Sequence, residues 1–190
     1  VGSRIRPHGR WRFELAGEAN HAGTTRLADR RDPMITLAAV ITEARRAAEN
    51  AGCVATVGKV SVRPNGVNAI PSAVTAWLDA RGDDPAAVAS MVTAVGVAAG
   101  TAGVEESYSG ATAFHTALIQ RCSRLLGAPV LATGAGHDAG VVASAGVPAT
   151  MLFVRNPTGV SHSPKEYAEA ADCEAGVRAL ATVAGDLLTV

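Results

Sequence analysis

Two histidines lie in loops where side chains could do chemistry. His21 sits in the stretch ANHAGTTRLADRRD (Ala19–Asp32), beside Gly23, Thr24 and Thr25, in a polar turn with no second metal ligand or nucleophile within ten residues. His162 sits in FVRNPTGVSHSPKE, just after an apolar run ending at Val154 that reads as a buried strand. Open α/β sheets place ligands at the carboxyl ends of their strands, so that position suits a site. Ser163, Pro164 and Glu166 read as a helix start with a capping box, which would hold His162 at a fixed angle; a surface histidine before a capped turn fits the same residues. The turn GAGHDAG (Gly134–Gly140) carries His137 and Asp138 between glycines, after a strand and before a helix. Glycines let backbone approach a ligand and a helix start favours an anion, yet the pattern is not GxGxxG and an ordinary glycine-rich turn explains it equally well. Asn68 lies in the loop RPNGVNAIPS, and Arg81 ends the strand AVTAWLDAR. The Arg81 guanidinium could fork onto a carboxylate, although periodicity alone favours a salt bridge with Asp79 or Asp83. A catalytic zinc needs three or more protein ligands with a carboxylate base nearby. His162 is the one good candidate, with no HxxxH, HxD or paired-Glu motif to complete it, and His8 and His115 read as non-functional.

The elements that must position these residues follow from periodicity. RWRFELAGEA alternates Trp11, Phe13 and Leu15 against Arg12 and Glu14, a half-buried strand. DPMITLAAVITEARRAAENAG reads as a helix capped by Asp32, with Pro33 in its first turn, Gly52 at its end, and Met34, Leu37, Ala38 and Ile41 on one face. VATVGKVSV and AVTAWLDAR are two strands; along the second, Val74, Ala76, Leu78 and Ala80 share one face. DDPAAVASMVTAVGVAAG is a second helix with Val88, Met91, Val92 and Val95 in its stripe, and a last strand lies near GVEESYSG. The order over roughly 10–110 is β-α-β-β-α-β, the ferredoxin-like pattern. Past Gly110 the texture changes to helices alternating with short apolar strands, including ATMLFVR, and ends in a long helix with Asp172 as its cap; this reads as part of a larger parallel α/β sheet.

Composition narrows the class. The 190 residues can bury a core, mostly of Ala, Val, Leu and Ile, since 48% are hydrophobic and 4% aromatic. Seventeen Lys+Arg balance seventeen Asp+Glu, which argues against nucleic acid or an anionic membrane as a partner. Cys53, Cys122 and Cys173 match no metal or redox spacing, an unpatterned set that suits a reducing cytoplasm. The opening segment has no apolar core of the signal-peptide kind, and no run reaches the ~20 residues of a membrane span.

Taken in order, GEANHAGTTRLADRRD, VATVGKVSVRPNGVNAIPS, LDAR, GAGHDAG and GVSHSPKE resemble the C-terminal half of the N-carbamoyl-L-amino-acid hydrolase and allantoate amidohydrolase family, within the zinc aminopeptidase/aminoacylase superfamily. The resemblance implies an α/β fold with a remnant of a catalytic domain at residues 1–8, a ferredoxin-like lid and dimerisation domain at 9–110, and the C-terminal part of an α/β metallohydrolase catalytic domain at 111–190. It implies a homodimer through the lid, a small-molecule carboxylate substrate, and a two-metal zinc or manganese site whose other ligands and general base lie upstream, so that this chain alone would not hydrolyse substrate. By the same resemblance His162 is a metal ligand, and His21 reaches into the partner subunit's active site to stabilise the oxyanion of a carbamoyl or ureido carbonyl. Asn68 and Arg81 hold the substrate carboxylate, and His137 with Asp138 lines the site. Rival readings are an aminoacylase or dipeptidase of the same superfamily, and a non-catalytic dimerising or ligand-binding module. Two positions depart from the family pattern: Arg26 stands where a proline is usual, leaving a looser loop, and Arg155 places a charge near the His162 loop.

Overall fold

A computed structural model describes residues 1–189. They form two compact units, one of Arg6–Ala111 and one joining Val1–Ile5 to the chain from Thr112 onward. In chain order the strands are β1 (Gly2–Ile5), β2 (His8–Ala16), β3 (Asn20–His21), β4 (Val54–Arg63), β5 (Ala69–Ile70), β6 (Ala73–Arg81), β7 (Val104–Ser109), β8 (Thr112–Ala113) and β9 (Leu131–Thr133). The helices are α1 (Pro33–Ala51), α2 (Pro85–Ala99), α3 (Thr116–Leu126), α4 (Asp138–Ser144) and α5 (Ala170–Leu188).

The Arg6–Ala111 unit runs β2-α1-β4-β6-α2-β7, and its antiparallel sheet has the order β4-β6-β2-β7. Alternation decides which face is buried. Trp11, Phe13 and Leu15 on β2 and Val74, Ala76, Leu78 and Ala80 on β6 pack against Leu37, Val40, Ala44, Ala47 and Ala48 of α1 and Val88, Met91 and Val95 of α2. Both helices start as their sequences require. Asp32 accepts from the Met34 amide and Asp84 from the Ala86 amide, each with proline following, and Gly52 and Gly100 end them in the left-handed region. The apolar stripe of α1 is rotated from the expected one. Met34 (38% exposed) and Ile41 (44%) face outward, while Val40 (0%) is buried, because the helix sets its inward face from Pro33 rather than Met34.

The opposite face of the sheet is charged. Lys59 lies 4.0 Å over the Trp77 ring, and the Trp77 indole and the Arg12 guanidinium both donate to Glu106. Arg81 forks onto Asp79 through Nε (2.6 Å) and Nη2 (2.9 Å), and Arg10 approaches the same carboxylate at 3.6 Å. Burial pushes the Asp79 carboxyl up, but hydrogen bonds and charge from Arg81, with Arg10, outweigh it and hold the group below the usual carboxylate range.

The second unit holds a three-stranded sheet, β8-β1-β9, with β1 parallel to β9 and antiparallel to β8. Its core gathers Val1, Ile5, Phe114, Ile119, Cys122 and Val183. Three expectations change here. ATMLFVR is not a strand: it meets its neighbours through isolated backbone bonds, Gly2 N–H to the Met151 carbonyl and His115 N–H to that of Ala149, which do not build a ladder. No helix starts at Ser163. Asp172 is not a cap but lies in the first turn of α5, paired with Arg155 at 3.0 Å, and Glu169 occupies the cap position. The three cysteines are free thiols, and no helix among the described residues is long and apolar enough to cross a membrane.

Phe13 is fully buried, and its ring would lie 2.6 Å from a Cβ added at Gly103, so the core has no slack around it. Phe13→Ala is expected to cost about 3–5 kcal/mol, read from urea unfolding; a loss below about 1 kcal/mol would move the centre of the core elsewhere. Because the folded Asp79 pKa is depressed, its pair contributes stability above the unfolded value and loses it as pH falls through the folded one. Thermal stability of the native chain should therefore fall below about pH 4, and Asp79→Asn should flatten part of that slope. An identical acid limb in the variant would remove the pair from the balance.

Candidate functional site

His21 ends β3, a two-residue strand that pairs with β5 in the register Asn20↔Ile70 and His21↔Ala69. The next rung is formed by the Ala22 amide donating to the Asn68 carbonyl at 3.0 Å, so Asn68 lies opposite Ala22, one rung beyond His21, on exposed backbone. The segment that delivers His21 is tied at its root. Gly17 N–H donates to the Ser72 carbonyl and Glu18 N–H to that of Arg31. Only glycine fits at position 17, where an added Cβ would lie 2.3 Å from the Pro33 ring.

The turn after His21 closes on the histidine itself. The Thr25 amide (3.2 Å) and hydroxyl (2.7 Å) both donate to the His21 carbonyl, and the Asn20 side chain accepts from the His21 amide. The Gly23 amide donates to His21 Nδ1 at 3.0 Å. A ring nitrogen that accepts carries a lone pair, so the neutral imidazole holds its proton on Nε2. His21 is thereby an exposed hydrogen-bond donor of fixed tautomer. Arg26 takes φ −63°, the value a proline would impose, and grips Asp29 through Nε (2.6 Å) and Nη2 (3.2 Å). The looser loop expected from the missing proline is replaced by a tied one.

Arg81 stands at the far end of β6. About 27 Å of extended chain separates it from Ala73, where the strand begins after the Asn68 loop. Its fork is turned to Asp79, as strand periodicity favoured, and the hydrogen bond it donates to that carboxylate raises the Arg81 pKa.

The remaining candidates belong to the other unit. His137 is the N-cap of α4, its Nδ1 accepting from the Ala139 amide at 3.0 Å, and Asp138 opens the helix. His162 has φ +56°, the left-handed region, and its amide donates to Glu166 Oε2 at 2.8 Å while the Ser161 hydroxyl reaches the same carboxylate. Ser163 accepts from Lys165 and its carbonyl from Glu166, which makes a tight turn in place of the expected capped helix. Glu166 thus holds the backbone of His162 while the ring stays exposed. Among the described residues no group of three or more His, Cys, Asp or Glu side chains is arranged to hold a metal ion. One imidazole falls short of the ligands a metal centre takes, so the donors of this chain do not by themselves fit one. Arg30, whose guanidinium reaches back into the His21 turn, was absent from the sequence reading; it sits in a charge run, where a solvated arginine is the ordinary outcome.

The family model described as peptidase family M20/M25/M40 matches residues 11–186. The N-carbamoyl-L-amino acid amidohydrolase of Geobacillus stearothermophilus is 37% identical over 185 residues, covering 89% of this chain and 45% of that protein. The allantoate amidohydrolase of Bacillus subtilis is 34% identical over 191 residues, covering 90% and 45%. A solved hydantoinase/carbamoylase family amidase from Burkholderia vietnamiensis superposes with a TM-score of 0.86 at 29% identity, over 96% of this chain and 48% of that one. AtUAH in complex with glyoxylate, 22% identical, shares the fold with a TM-score of 0.91 over 97% and 48%. The chain spans about half the length of the relatives it matches. A match over 11–186, which runs through both the His21 and the His162 loops, places the chain in peptidase family M20/M25/M40.

Proposed function

We propose that this chain is part of a metal-dependent amidohydrolase that cleaves the carbamoyl or ureido C–N bond of an N-carbamoyl amino acid or ureido acid. The observation that carries the proposal is the His21 turn. A carbonyl under attack gathers negative charge on its oxygen, and a preorganised N–H donor stabilises that charge without reorganising. His21 Nε2–H is such a donor, held by the Gly23 amide on the other side of the ring. In this reading the Arg6–Ala111 unit is a ferredoxin-like lid that dimerises and presents His21 to the active site of the partner subunit. Its strand order, with β6 between β2 and β4, supports that assignment.

Asn68 and Arg81 hold the substrate carboxylate from different subunits of the dimer, since within one protomer the length of β6 separates them. Arg81 already binds a carboxylate bidentately, that of Asp79, so a substrate would exchange with an internal partner of the same chemistry. His137 and Asp138 line the site from α4. His162 supplies one ligand to a zinc or manganese centre completed by residues outside this chain; amidohydrolases of the family are generally metal-dependent. Until joined to that part the chain is inactive. The protein works as a cytoplasmic homodimer on a small-molecule carboxylate, away from nucleic acid and membrane.

In the whole protein, His21→Ala is expected to lower kcat on N-carbamoyl amino acids by about 10²–10³ with little change in KM; an unchanged kcat would remove His21 from the reaction. Arg81→Ala should raise KM at least about tenfold for carboxylate substrates, and an unchanged KM would leave Arg81 as a structural partner of Asp79. Faster turnover of N-acetyl than of N-carbamoyl amino acids would shift the assignment to an aminoacylase.

A further inference from the structure

We infer that Arg30 is the positioning residue of His21, a clamp that sets the tautomer and direction of the imidazole without meeting substrate. The inference rests on the oxyanion role of His21 for its catalytic meaning, but the clamp itself is a matter of geometry. The Arg30 guanidinium donates three hydrogen bonds, all to backbone carbonyls of the turn: Nη2 to Ala22 at 2.6 Å, Nη2 to Thr25 at 3.0 Å and Nε to Thr25 at 3.1 Å. Those two carbonyls bracket Gly23, whose amide is the donor that fixes His21 Nδ1. Drawing both carbonyls onto one planar cation therefore sets the plane of the peptide that addresses the ring.

The alternatives within the turn do not reach that point. Thr25 closes the turn on the His21 carbonyl and makes no bond to the Ala22–Gly23 peptide. Asn20 holds only the His21 amide. Arg26 is spent on Asp29, and that pair steadies the short 3-10 turn Leu27–Asp29 from which Arg30 folds back. Gly23 adds a second constraint, since a Cβ there would lie 3.2 Å from the His21 ring. Arginine is suited to the task because its fork spans two acceptors in a fixed plane; a lysine ammonium supplies point donors and no plane.

The clamp predicts a spectroscopic signature in the 190-residue chain. Long-range ¹H–¹⁵N correlation of the imidazoles, with the His21 signals assigned by His21→Gln, should show the Nε2–H tautomer in the native protein. In Arg30→Gln the His21 signals should move to averaged tautomer values, and the Gly23 and Thr25 amides should exchange at least about tenfold faster, with the Trp11 and Trp77 indole signals of the sheet unchanged. Arg30→Lys should fall between the two. Unchanged His21 ring signals and Gly23 exchange in Arg30→Gln would overturn the clamp. If Arg30→Gln loses the indole signals, Arg30→Lys decides by the same criteria, and loss of the sheet in both variants would also overturn it, since Arg30 would then hold the fold rather than the turn. In the whole protein Arg30→Gln should lower kcat and leave KM for carboxylate substrates unchanged. A silent His21→Ala with the Arg30 signature intact would instead defeat the oxyanion role and leave the clamp standing.

Discussion

β6 is hydrogen-bonded along its whole length on both sides, to β2 from Ala73↔Ala16 to Arg81↔His8 and to β4 from Ala73↔Arg63 to Arg81↔Val54. A strand pinned on two edges cannot slip by one residue without turning Val74, Ala76, Leu78 and Ala80 into solvent and burying Thr75, Trp77, Asp79 and Arg81. The cost would include unpaired charge at Asp79 and Arg81, so the register is held both by apolar burial and by the price of its alternative. The bulge of β4 between Val57 and Lys59 falls in mid-strand and leaves both ends of the ladder in place. Everything proposed for this unit hangs from those ends: Arg81 at one, and at the other the Arg63–Ala73 connection that carries Asn68 and β5.

The two-residue ladder of β3 and β5 is too short to persist by its own hydrogen bonds. It persists because its surroundings are anchored at several points: Ser72 and Arg31 hold Gly17 and Glu18, and Arg30 holds the carbonyls of Ala22 and Thr25. The exposed loop thus gains order from backbone bonds at its root and the Arg30 side chain at its turn, with Ile70 buried beneath the ladder. That is how a residue can be open to solvent and still have one preferred geometry, which a catalytic donor requires.

The residues that declared themselves in the sequence were those whose partners are close in sequence or repeat with a fixed period. Asp32 with Pro33 and Gly52, Asp84 with Pro85 and Gly100, and the alternation along β2 and β6 belong to this class, and the Arg81–Asp79 pair follows from their sharing a face two residues apart. What depended on distant partners was hidden. ATMLFVR has the composition of a buried strand, but strand identity needs a continuous ladder, and the segment makes only isolated bonds to Gly2 and His115. Asp172 has the chemistry of a cap, but Arg155, seventeen residues away, claims it within the first helical turn. The α1 stripe was only partly legible: Leu37 is common to both faces, but the buried row runs on through Val40 and Ala44, and which of two adjacent rows turns inward is set by the sheet it packs on. Of the candidate site, the residue types at His21, Asn68 and His162 were legible. The tautomer of His21 and the strain at His162 were not, because each depends on where a backbone amide points.

His21 and His162 reach exposed, directed imidazoles by opposite means. At His21 the backbone amide of Gly23 grips the ring, and the residue keeps an extended strand conformation. At His162 the ring is untouched and the backbone is gripped instead. A left-handed conformation in a non-glycine residue costs roughly 1–2 kcal/mol, and the Glu166 carboxylate, accepting from the His162 amide and the Ser161 hydroxyl, offsets it with charge-assisted bonds. The two solutions suit different tasks. A hydrogen-bond donor must present one particular nitrogen with its proton, so the ring itself has to be fixed before substrate arrives. A metal ligand is oriented by the metal once bound, so the backbone must only bring the imidazole to the right place and leave a ring nitrogen able to coordinate. Physical demands of this kind separate the roles assigned to the two histidines, and the different ways the protein holds them match that separation.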